Sequence, residues 1–214
     1  MKATGRKSAD ISMWLRRDGT LRKEIRMFIV HECGHALCAW RLGWRFLEME
    51  IVAATQRGVP SCVRVRLPSA APLGQGPVPP EKVQEVEDAI WLYGAGQIAV
   101  MLWGQWVDDS AWEKEQLHQP DTVEFVRLLR RLQASPGYRD RPLLGELSSM
   151  LLEPPTWTAL VFLVRHVERV ILQALRLHRS PTELERVIIA GRSLRNVLKR
   201  VDKVTATNGT AVGW

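Results

Sequence analysis

No run of about 18 apolar residues occurs anywhere in the 214-residue chain, so no membrane-spanning helix is predicted. The best stretch, residues 157–164, is too short and runs into Arg165. A basic N-terminus without a continuous apolar segment does not read as a secretory signal. Cysteine is scarce. Cys33, Cys38 and Cys62 are an odd count without disulfide or zinc-ribbon spacing, which suits a reducing compartment and leads us to expect a cytoplasmic protein. There is no internal repeat and no G-x-x-x-x-G-K-[ST] phosphate loop, so no ATPase module of that kind is expected. What is present is ordinary for a globular domain with a sizeable core: 46% hydrophobic and 25% charged residues. The nine tryptophans are unusual. Trp40, Trp44, Trp91, Trp103, Trp106 and Trp112 are expected to pack rather than to form a recognition platform.

The formal charge of +7 is unevenly distributed. Residues 1–26 carry +5 and residues 165–203 carry +6, which leaves −4 on the stretch between. Basic flanks of this kind can touch nucleic acid, an anionic membrane or an acidic partner. They can equally be solvated helix faces, because the charges alternate with apolar residues at helical spacing.

Residues 1–20 read as a basic flexible arm, with a turn and helix start at Asp18-Gly19-Thr20. Apolar positions at three- and four-residue steps (Ile25, Ile29, Cys33, Ala36, Leu37, Trp40) predict a helix over 21–42, ended by Gly43. Residues 46–54 and 61–67 alternate like a pair of strands and predict a hairpin. Residues 68–80, rich in Pro, Gly and Ala, predict an exposed loop. Helices are then expected over 81–103, 120–133, 143–152, 155–177 and 181–202, several with Pro near the start. Residues 204–214 read as a flexible tail. The expectation is one α+β, mostly helical domain over 21–203. Its first long helix packs beside a small hairpin or sheet, and a C-terminal helical bundle follows.

The chemistry lies in His31-Glu32-Cys33-Gly34-His35, an H-E-x-x-H motif inside the first predicted helix. Residues four apart project from one helix face, so two imidazoles can converge on one tetrahedral zinc ion. Zinc polarises a carbonyl and lowers the pKa of a bound water to about 7. Glu32, one step round the helix, is placed to take a proton from that water and pass it to the leaving amine. The reading is a zinc metallopeptidase with His31 and His35 as ligands and Glu32 as general base. Two histidines leave such a site one protein ligand short. His118, His166, His178, Asp121 and Glu87 are all available, and spacing does not choose among them. Cys33 should face away from the histidines as a small core residue, and Gly34 could let the sheet approach the helix.

His31-Glu32-Cys33-Gly34-His35-Ala36-Leu37 resembles the H-E-A-G-H-A-L of the zinc peptidase domain of FtsH-type ATP-dependent proteases, with Cys for the first Ala. The hairpin after it, Ala95-Gly96-Gln97-Ile98-Ala99 through Gly104, and Pro120-Asp121-Thr122-Val123-Glu124 are similar to that family's later segments. The resemblance implies Asp121 as third zinc ligand. It also implies a metalloendopeptidase acting on unfolded or flexible protein segments, either alone or with a separate ATPase or unfoldase, and open to forming a homo-oligomer. The chain departs where the family's paired glutamates are Val100 and Met101. A second metallopeptidase pattern, in small proteases that cleave regulators, takes its third ligand from a Glu in the next helix. Glu87 faintly resembles it. A zinc-stabilised adaptor without turnover is the reading from a different class.

Overall fold

The computed structural model describes residues 14–52, 62–66, 76–107, 119–177 and 186–207. Six helices and three strands are present among them: α1 Lys23–Arg41, β1 Arg45–Val52, β2 Cys62–Arg66, α2 Val83–Trp106, α3 Gln119–Gln133, α4 Leu143–Leu152, α5 Pro154–Leu177, β3 Arg186–Ala190 and α6 Gly191–Thr207. The fold is α+β and mostly helical, as the hydrophobic periodicity predicts. No single described helix is long and apolar enough to cross a membrane.

The core runs through α1, whose Ile29, Cys33, Ala36 and Leu37 are fully buried. Helix α2 packs along one side of α1 and α5 along another. Gly43, at φ +73°, ends α1 where an L side chain would be strained. The sheet has the order β2-β1-β3, and both pairings are antiparallel. Strand β1 buries Phe46, Met49 and Ile51 beneath the helices, and β3 adds Val187 and Ile189 to the core.

Four expectations are corrected. The first concerns the helix expected over 181–202: residues 186–190 form a strand instead, alternating exposed and buried from Arg186 to Ala190. The β-branched Val187-Ile188-Ile189 run suits a pleated surface, and β1 offers a free edge to pair with. Gly191 then starts α6 close over the sheet, since a Cβ there would lie 2.5 Å from the Phe46 carbonyl oxygen. Secondly, residues 14–20 do not belong to an arm. Trp14 is buried, Leu15 bridges Leu21, and Thr20 N–H donates to Asp18 Oδ1 at 2.9 Å in the expected turn. Thirdly, Gly34 admits α2 rather than the sheet. A Cβ at Gly34 would sit 2.6 Å from the Ala95 carbonyl oxygen and 2.7 Å from the Ala99 Cβ. Residues 204–207, expected in the flexible tail, instead continue α6, while the hairpin turn, most of the 68–80 loop, residues 208–214, Trp112, His118 and His178 lie outside the described residues.

Candidate metal centre

Helix α1 carries His31 and His35 one turn apart toward α2, with Glu32 buried between them in sequence. The imidazole Nε2 atoms lie 3.0 Å from each other. Asp121 Oδ2 lies 3.0 Å from His31 Nε2 and 3.2 Å from His35 Nε2. Asp121 comes from the first turn of α3, which packs on α2. A carboxylate there also sits well against the positive end of the helix. Three donor atoms thus form a nearly equilateral triangle, with both histidines buried and Asp121 partly exposed.

This donor set can hold a metal ion. Around a tetrahedral zinc with bonds of 2.0–2.1 Å, ligand atoms stand roughly 3.3 Å apart, and the triangle of 3.0–3.2 Å comes within a few tenths of that edge. The tautomer agrees. A carbonyl only accepts, so His35 Nδ1–H donates to the Leu92 carbonyl oxygen at 2.6 Å. In neutral His35 this leaves the Nε2 lone pair aimed at Asp121 Oδ2. Such a backbone partner on the far nitrogen orients metal-binding imidazoles. A lone pair facing a carboxylate oxygen at 3.2 Å needs a positive charge between them, either a proton or a cation.

The electrostatics say the same. Burial works against charging His35, but the Asp121 hydrogen bond and charge, the Glu32 charge and the Leu92 carbonyl outweigh it and raise the pKa. For Asp121 burial pushes upward, yet hydrogen bonds and charge from His31 and His35 hold the carboxyl well below its usual range.

Space for the cation is left by Gly96 of α2. A Cβ built there would lie 2.6 Å from His35 Nε2 and 2.7 Å from both Cε1 and Nε2 of His31. It would fill the gap in front of the two rings. Sequence reasoning named Gly96 only as part of a resembling segment. Nothing in its local spacing reveals that two rings from another helix face it.

The other candidate ligands are engaged elsewhere or are not described. Glu87 is buried at the start of α2, where its Oε2 accepts from Arg141 at 2.6 Å and its Oε1 from the Tyr138 hydroxyl at 3.3 Å. It is not part of the metal-binding group. His166 lies 3.0 Å from Ser193 Oγ, between α5 and α6. Cys33 is a free, fully buried thiol whose pKa is pushed up by burial, then by the Glu32 and Glu168 charges, as befits a core residue. The chain matches no family model and no curated protein.

Proposed function

We propose that the chain is a zinc-dependent metalloendopeptidase that cuts unfolded or flexible protein segments. The single observation carrying this reading is the convergence of His31 and His35 of α1, the helix that also buries Glu32, with Asp121 of α3 in one donor group. Two imidazoles and one carboxylate form a three-ligand set of the kind found in catalytic zinc sites, which leave a fourth position open; structural zinc sites are usually closed by four protein ligands.

In this reading His31, His35 and Asp121 hold the ion. When bound, zinc supplies a Lewis acid that polarises a carbonyl and acidifies water. Glu32 accepts the proton of the attacking water and returns it to the departing amine nitrogen. His35 is kept in the ligating tautomer by the Leu92 carbonyl. Asp121 carries the negative charge that favours a cation over two neutral rings. The partly exposed Asp121 marks the side from which substrate reaches the centre.

The test is casein hydrolysis by the purified chain, with zinc content measured alongside. Glu32→Gln should retain one zinc per chain and lose activity by about 100-fold or more, the usual contribution of a general base. Hydrolysis unchanged by this substitution would remove Glu32 from the reaction. Zinc binding without turnover in the wild type would favour the adaptor reading.

A further inference from the structure

Helices α5 and α6 hold a surface that the metal centre does not use. Their exposed residues fall on one stripe each. On α5 these include Phe162, Arg165, Arg169, Gln173 and Arg176 at steps of three and four, a line about 21 Å long. On α6 the stripe includes Arg192, Lys199 and Arg200. The stripes meet along the seam where half-buried His166 lies 3.0 Å from Ser193 Oγ. Arg169 and Arg200 both lie near enough to this seam to disfavour a charged His166, after burial itself.

The sidedness of charge makes the surface notable. Each of the two helices contains a single acidic residue, and both are turned inward to α1. Glu168 accepts from Arg26 at 2.7 Å. Asp202 accepts from Trp40 Nε1 at 2.9 Å and pairs with Arg41 at 3.3 Å. Among the described residues, the outward face therefore includes Arg165, Arg169, Arg176, Arg192, Lys199, Arg200 and Lys203, with no carboxylate among them. Solvation alone does not call for this sorting, since an exposed helix face gains from mixing both signs. The same surface exposes large apolar side chains. Phe162 is 52% exposed within the α5 stripe, Leu177 is 72% exposed beside Arg176, and Val204 is 58% exposed on α6.

We propose that the α5–α6 face docks on an anionic phospholipid surface, its cations against the headgroup phosphates and Phe162 among the glycerol and acyl groups. Cations mixed with protruding apolar residues match a bilayer interface, which offers both chemistries. A nucleic-acid backbone would use the cations alone. The inference does not depend on the peptidase reading, because none of its residues belongs to the His31, His35 and Asp121 group.

The experiment is co-sedimentation of the full chain with phosphatidylcholine vesicles, with and without phosphatidylserine. Binding should require phosphatidylserine and weaken with salt. Arg165→Glu/Arg169→Glu/Arg200→Glu should reduce it by roughly a hundredfold or more, at about fivefold per cation removed. Phe162→Ser should weaken vesicle binding several-fold without any change in charge. Circular dichroism and zinc content report whether each variant folds. Should the triple variant misfold, Arg169→Gln and Phe162→Ser carry the test, each expected to lower binding. Equal binding by well-folded variants would overturn the proposal. So would tighter binding to duplex DNA than to anionic vesicles in the same buffer, with Phe162→Ser indifferent.

Discussion

Replacing Gly96 with alanine adds one methyl group directly in front of the two rings of the candidate metal centre. The new Cβ would stand 2.6 Å from His35 Nε2 and 2.7 Å from His31 Nε2. Non-bonded heavy atoms rest at about 3.5 Å or more, so the rings must retreat by close to 1 Å or tilt. Metal sites tolerate only about 0.2 Å in ligand distance. We therefore expect zinc affinity to fall at least a hundredfold, about 2.7 kcal/mol. Folding should suffer far less. Alanine gains about 1 kcal/mol over glycine within a helix, against an overpacking cost of about 1–3 kcal/mol. The metal-free variant should then lie within about 2 kcal/mol of the metal-free wild type. Zinc affinity can be read by competition with a chromophoric chelator, and stability by thermal unfolding in the presence of excess chelator. Gly34→Ala is the control. Its Cβ meets the backbone of Ala95 instead, so it should lower stability by forcing α1 and α2 apart. A Gly96→Ala protein binding one zinc with wild-type affinity would refute the ring placement on which the metal centre rests.

Asp121→Ala should abolish stoichiometric zinc binding, whereas Glu87→Ala should leave it intact; the reverse result in metal analysis would restore Glu87 as the third ligand. Arg141→Ala should destabilise the fold by about 1–3 kcal/mol in denaturant unfolding, because it leaves the buried Glu87 carboxylate without its guanidinium partner. Its zinc content should not change. The pH dependence of stability should differ in sign with and without metal. In the metal-free protein the raised His35 pKa gives stability that is complete below its ordinary value of 6.5 and is lost as pH rises through the folded value. The lowered Asp121 pKa gives stability that is complete above 3.8 and is lost as pH falls through the folded value. Metal-free stability from this group should therefore be greatest between these limits. Stabilisation by zinc should instead grow as pH rises, since the ligands must shed protons. Melting temperatures across pH with chelator and with zinc would check both slopes.

The pair of candidate histidine ligands was legible because their relation is local. A helix sets residues i and i+4 on one face whatever surrounds it, so the amphipathic pattern of 21–42 and the spacing of His31 and His35 sufficed. The boundaries of α4, and of α5 to within one residue, followed from periodicity and proline for the same reason. Spacing left Asp121 one candidate among several, and only the family resemblance singled it out. A carboxylate 86 residues from His35 leaves no periodic signal, and only the packing of α3 on α2 brings it to the rings. Residues 186–190 show the limit from the other side. Proline at 181 and the amphipathic stretch after it argued for one helix, but the free edge of β1 turned Arg186–Ala190 into a strand. Gly96 and the Leu92 carbonyl were equally hidden. Their role is defined by which atoms of α1 come against α2, and that depends on the small residues Gly34, Ala95 and Ala99 letting two backbones approach. The sequence by itself determined the helix and the pair of imidazoles on it. The third donor, the space before the rings and the sorted charge of α5 and α6 were decided only when distant segments packed together, because each is a relation between elements rather than a property of any one.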